Sequence, residues 1–155
     1  MKFNRRFASA VSLLVLGTAC SAGAWAQAKP ETLVAQRQSA MTLQGKYLYS
    51  IIPMATGKIP YDAAIVARNV GYLTVLTQMP WDGFDARTAD VKNTRALPEI
   101  YKDPATFKAK RDTMLAELGK LASAVKSGNE AAIKTAIVDT NKACNSCHDT
   151  FRAKG

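Results

Sequence analysis

Histidine is almost absent from this sequence: one occurs, at position 148, in a chain of 155 residues. A lone imidazole leaves no second histidine for acid–base work and excludes two histidine ligands on one metal. Cysteine is scarce as well, with residues at 20, 144 and 147 only. Long apolar runs are missing. Ala10 to Leu16 (AVSLLVL) falls well short of the ~20 residues that a bilayer span requires. No Lys/Arg cluster is interleaved with aromatics, which argues against nucleic acid as a partner. No internal repeat and no low-complexity segment is present. The carboxylates are spread along helical surfaces, where solvation is their ordinary role, so nothing marks an enzyme.

What is present begins with an export signature. Lys2, Arg5 and Arg6 form a basic segment, Ala10 to Leu16 an apolar one, and Ala24-Trp25-Ala26 a small-x-small site. Residues 1–26 are therefore expected to be a signal peptide cut before Gln27, leaving residues 27–155 as one domain. A lipid anchor on Cys20 is disfavoured because Gly17 stands where such a motif wants an aliphatic residue. Three of the 21 Lys/Arg residues leave with the signal, so 18 basic and 12 acidic residues remain. That modest excess suits an acidic partner protein in an exported setting.

The rest of the chain is rich in Ala, Leu and Lys, with proline and glycine in few places, and favours helices. Four long segments are predicted: Pro30 to Ile52, stopped by Pro53; Tyr61 to Gln78; Asp103-Pro104 to Gly128; and Asn129 to about Arg152. Asp103 and Asn129 are good caps, and Pro104 suits a first helical position. Phe107, Arg111, Met114, Leu118, Leu121 and Val125 recur at spacings of four and three, as do Ile133, Ile137, Thr140, Cys144, Cys147 and Phe151. Such seams belong to helices packed lengthwise, and short links make them antiparallel. The expected fold is an all-α antiparallel four-helix bundle. Pro80 to Pro98 shows no periodicity, and Trp81 and Phe84 within it imply packing against something large and apolar.

The chemistry lies in Cys144-Asn145-Ser146-Cys147-His148. On a helix, residues i and i+3 share a face and i+4 adjoins them. Two thiols so placed can add to the two vinyl groups of one haem, and the adjacent imidazole can bind its iron; this is the covalent-haem signature. Zinc needs about four ligands, and two cysteines with one histidine fall short. A thioredoxin-type pair belongs at a helix start, whereas this one lies deep in the last helix. A disulfide at this spacing would strain the helix. One haem c on Cys144 and Cys147, with His148 as axial ligand, is the remaining reading, and export agrees with it.

With that motif near the C-terminus and Phe151-Arg152 behind it, the chain resembles the class II c-type cytochromes, the cytochrome c prime family. The likeness extends to Arg37-Gln38-Ser39-Ala40, Pro60-Tyr61-Asp62-Ala63-Ala64, Pro80-Trp81 with Phe84, and Pro98-Glu99-Ile100-Tyr101. It implies a haem near one end of the bundle, a periplasmic location and a homodimer through the first two helices. It implies that Arg37 lies near a haem propionate and Arg152 beside the proximal ligand, and that Gln38, Trp81 and Phe84 border the ring.

The resemblance also places Met41 opposite the iron, where five-coordinate members carry a residue such as Leu and low-spin members a ligating Met. The leading expectation is a one-electron carrier, with His148 and Met41 as iron ligands and acidic redox proteins as partners. The alternative is a five-coordinate protein that binds nitric oxide or carbon monoxide on the distal face.

Overall fold

The computed structural model describes residues 28–154; the expected signal peptide lies outside them. Four long helices and one short one make up the architecture: α1 (Pro30–Ala55), α2 (Ala63–Leu76), α3 (Glu99–Lys102), α4 (Pro104–Ser127) and α5 (Glu130–Phe151). The bundle is all-α, and an isolated antiparallel bridge joins Ala96 to Arg152.

Local chemistry sets the ends. Asp62, Asp103 and Asn129 each accept a hydrogen bond from the backbone N–H three residues on, at 2.9–3.0 Å, and so satisfy a donor the helix leaves free. The predicted second helix thus starts later than Tyr61, at its cap. Gly128 closes α4 at φ 70°, a left-handed turn that glycine adopts without strain, and α5 follows at once in the opposite direction. Pro53 does not stop the first helix, which runs on to Ala55. It sits in the last turn, where its missing N–H costs one bond, and Thr56 and Lys58 still donate to the Ile52 and Pro53 carbonyls at 2.9 Å.

The core fills the middle of the bundle. Ile51 of α1, Leu121 of α4 and Ile137 of α5 are wholly buried, and Val66, Val70 and Leu73 of α2 close the remaining side. Truncating any of the three wholly buried residues would forfeit transfer free energy and leave a cavity. The seams predicted for α4 and α5 face inward at Met114, Leu118 and Leu121, and at Ile133, Ile137 and Thr140.

The aperiodic connection is ordered. It makes two 3-10 turns, Trp81–Phe84 and Ala86–Thr88, before α3. What holds it is Arg37, a charged residue with only 3% of its surface exposed. Its Nη1 donates to the Gly83 carbonyl at 2.5 Å and to the Thr88 and Tyr101 hydroxyls at 3.2 Å, and its Nη2 donates to Thr94 Oγ1 at 3.1 Å. The guanidinium also stacks on Phe84, 4.5 Å from the ring centroid. Among the described residues it pairs with no carboxylate. Gly83 allows the close approach: a Cβ there would lie 2.6 Å from Arg37 Cβ and 2.7 Å from the Leu33 carbonyl.

Arg37→Met should strip four acceptors of their donor and lower the unfolding free energy by about 3 kcal/mol, read from urea denaturation of the haem-loaded protein. Gly83→Ala attacks the same contact from the other side and should cost about 1–3 kcal/mol. Wild-type stability in both variants would show that the clamp does not hold the connection.

Candidate haem site

The C-terminal half of α5 carries Cys144, Cys147 and His148 on adjoining helical positions, and all three line a cavity of about 740 Å³. That is the size of a cofactor site, which runs to roughly 300–1,000 Å³. The antiparallel order brings the N-terminal parts of α1 and α4 to the same end. Met41, Gly45 and Leu48 of α1 form one wall. The other is aromatic: Trp81 and Phe84 are stacked with centroids 6.0 Å apart, Phe84 lies 4.9 Å from Phe107, and Phe107 meets Phe151 edge-on at 5.3 Å. Trp81 is fixed by its indole N–H, which donates to the Thr77 carbonyl at 2.6 Å.

The reactive groups suit a haem and suit other uses poorly. Cys144 and Cys147 are not joined to each other. Burial, then the neighbouring Cys147, pushes the Cys144 thiol up to about 11, and burial raises Cys147 against a smaller opposing effect of Lys110. These are neutral thiols, poor as zinc thiolates but open to thioether formation. Burial first, then the charge of Arg152, holds His148 below its ordinary value, with Arg95 adding to this and Asp149 opposing. Its Nδ1 is buried with no hydrogen-bond partner. A neutral imidazole is the form that binds iron. Among the described residues no group of three His, Cys, Asp or Glu side chains could hold a metal ion by itself.

The residues expected around the haem all line this cavity: Arg37, Gln38, Met41, Trp81, Phe84 and Arg152. Their surroundings differ from one another. Arg37 is buried with its hydrogen bonds spent on the connection, while Gln38 is exposed and donates to the Asn93 carbonyl at 3.2 Å. Arg152 lies just past the end of α5, in extended backbone. Sequence reasoning missed Arg95, Ile100 and Lys46 as lining residues. Arg95 and Ile100 lie in or just after the aperiodic stretch, where no pattern marks a direction, and a helical lysine such as Lys46 reads as solvated. Of the other methionines in the described residues, Met114 also lines the cavity, whereas Met54 belongs to the core and Met79 is exposed.

Comparison with known proteins agrees with this geometry. Residues 32–152 match the family model described as Cytochrome C'. Cytochrome c' of Rubrivivax gelatinosus is 38% identical over 126 residues, covering 81% of this chain and 98% of that protein. Cytochrome c' of Alcaligenes xylosoxydans xylosoxydans is 37% identical, covering 82% and 98%. The Rubrivivax crystal structure superposes with a TM-score of 0.77 over 80% of this chain and 97% of that one. A leucine-to-alanine variant of the Alcaligenes protein, solved as its nitric oxide complex, superposes at 0.76 with 37% identity, over 83% of this chain and 98% of that one.

These findings overturn the expectation of an electron carrier with Met41 and His148 both on the iron. The relatives are cytochromes c', and a variant of one of them was solved as its nitric oxide complex, which backs the gas-binding alternative. A methionine on an apolar wall beside Leu48 has a sufficient role in packing. The chain belongs to the cytochrome c' family, an all-helical haem protein with haem c attached covalently, here through the Cys144 and Cys147 pair of its C-x-x-C-H motif.

Proposed function

We propose that this protein is a periplasmic, five-coordinate haem protein that binds nitric oxide, and by the same chemistry carbon monoxide, on the distal side of its iron. The observation that carries the reading is the nitric oxide complex of a relative that matches this chain from end to end of the domain. The donor set supports it. The single histidine is needed on the proximal side, and the facing wall of α1 offers the aliphatic Leu48, the thioether of Met41 and Gly45, which has no side chain.

Each residue then has a task. Cys144 and Cys147 would tether the haem, and the imidazole of His148 would bind its iron. A haem so held would supply an iron position to which a diatomic ligand can bind. Met41 and Leu48 shield that position from water without occupying it, and a small neutral gas crosses such an apolar wall more readily than a charged ion does. Trp81, Phe84 and Phe107 face the ring. Arg37 would supply positive charge for a propionate, and Arg152 would lie beside the proximal ligand.

Two further features belong to this reading. Export is supported by the signal sequence and by the haem motif itself. A homodimer through α1 and α2 is supported by a shallow apolar groove between them, where Leu43, Tyr72 and Val75 keep 41%, 46% and 58% of their surface exposed. Sedimentation at micromolar concentration should return a dimer; a monomer would contradict that assignment.

Anaerobic titration of the dithionite-reduced protein with nitric oxide should change the haem absorption with an end point at one equivalent. An absorption spectrum that ignores excess gas would defeat the proposed function.

A further inference from the structure

The cavity that receives the haem is lined by five cations, Arg37, Lys46, Arg95, Arg111 and Arg152, and by no Asp or Glu. Of these, Arg111 bonds to Asp112 at 2.9 Å, and the other four pair with no carboxylate among the described residues. A haem contributes two carboxylates. Buried Arg37 has first claim on such a charge, because an uncompensated buried cation is expensive. Even with both propionates matched to cations, the mouth of the cavity stays positive.

The backbone holds this charge in place. Leu97 N–H donates to the Phe151 carbonyl at 2.9 Å and Ala153 N–H to the Arg95 carbonyl at 2.8 Å, pairing the tail of the chain with the connection. Arg95 then grips the tail through its own side chain, with Nε and Nη2 at 2.9 and 2.6 Å from the Ala153 carbonyl. Ala96 stands opposite Arg152 across the bridge, so two exposed arginines are fixed near each other. Neither arginine has a carboxylate partner among the described residues. They are useful when something negative comes to them. On α1, exposed Lys46 adds a third charge, engaged only with the Tyr47 ring at 5.6 Å.

We propose that Lys46, Arg95 and Arg152 form the docking surface for an acidic electron-donor protein that reduces the haem at this edge. The proposal rests on the gas-binding reading above, which calls for ferrous iron. In the docked pair one electron leaves the donor, oxidising it by one equivalent, and converts ferric to ferrous iron with no bond made or broken. Three exposed cations spread over α1, the connection and the tail suit a protein surface better than a single small anion. Complementary charge of this kind acts mainly on the rate of encounter and is weakened by salt.

The test uses the haem-loaded protein with reduced flavodoxin, an acidic one-electron donor, as probe. Stopped-flow reduction of the ferric protein should slow about tenfold between low salt and about 0.5 M salt, where screening acts over a few ångströms. At low salt Lys46→Glu and Arg152→Glu should each slow it about fivefold or more, and both should weaken association measured by titration calorimetry with oxidised flavodoxin. Arg152→Lys should restore both quantities, which loss of structure alone would not permit. Lys58→Glu, in the α1–α2 link and away from the cavity lining, should leave them unchanged. The proposal is wrong if rim and link variants behave alike, or if salt leaves the wild-type rate unaltered. Nitric oxide titration of the same samples after dithionite reduction keeps the two readings apart: normal gas binding with charge-insensitive reduction would defeat the docking surface alone.

Discussion

Two covalent bonds from one face of one helix to a rigid macrocycle constrain the rest of this molecule. Cys144 and Cys147 fix the ring against the C-terminal half of α5, and His148 adjoins them at the next position. An apolar space must therefore open on that face, between α5 and the helices packed against it. The bundle provides it by placing its fully buried residues, Ile51, Leu121 and Ile137, further along the helices and leaving one end hollow. Aromatic side chains line the hollow from three directions in the chain: the connection, α4 and the end of α5.

The hollow end brings a second requirement. A cavity open at one end of a bundle needs a wall that no long helix provides, and the stretch from Pro80 to Pro98 supplies it. Such a stretch has little regular structure to hold it. A buried guanidinium on α1 ties it down through Gly83, Thr88 and Thr94, and ties the Tyr101 hydroxyl of α3 as well. The same residue also lines the cavity, so one side chain both holds the wall and borders the cofactor space. The bridge between the connection and the tail closes the other edge and leaves two arginines at the mouth.

Much of this was legible in the sequence because it is local. Asp103-Pro104, Gly128 and Asn129 mark helix ends through backbone chemistry that acts within a few residues, and the cysteine–histidine spacing acts within one turn. What was not legible depends on contacts distant in sequence. Pro53 reads as a stop, yet in a last turn it costs a single bond. Arg37 reads as a helical charge, and its burial follows from partners some fifty residues away. Met41 reads as a ligand by position, but whether a thioether binds or only packs depends on where the wall stands relative to the iron. No local pattern encodes that.

An open distal position on an iron held by His148 alone is what separates the proposed gas binder from an electron carrier. The absorption spectrum of the ferric protein near neutral pH tests it most directly, taken beside that of Met41→Ala. A gas binder gives a high-spin spectrum without a sulfur-to-iron charge-transfer band toward the red, and the same coordination in the variant. A low-spin spectrum carrying that band, lost on removal of the Met41 side chain, would contradict it.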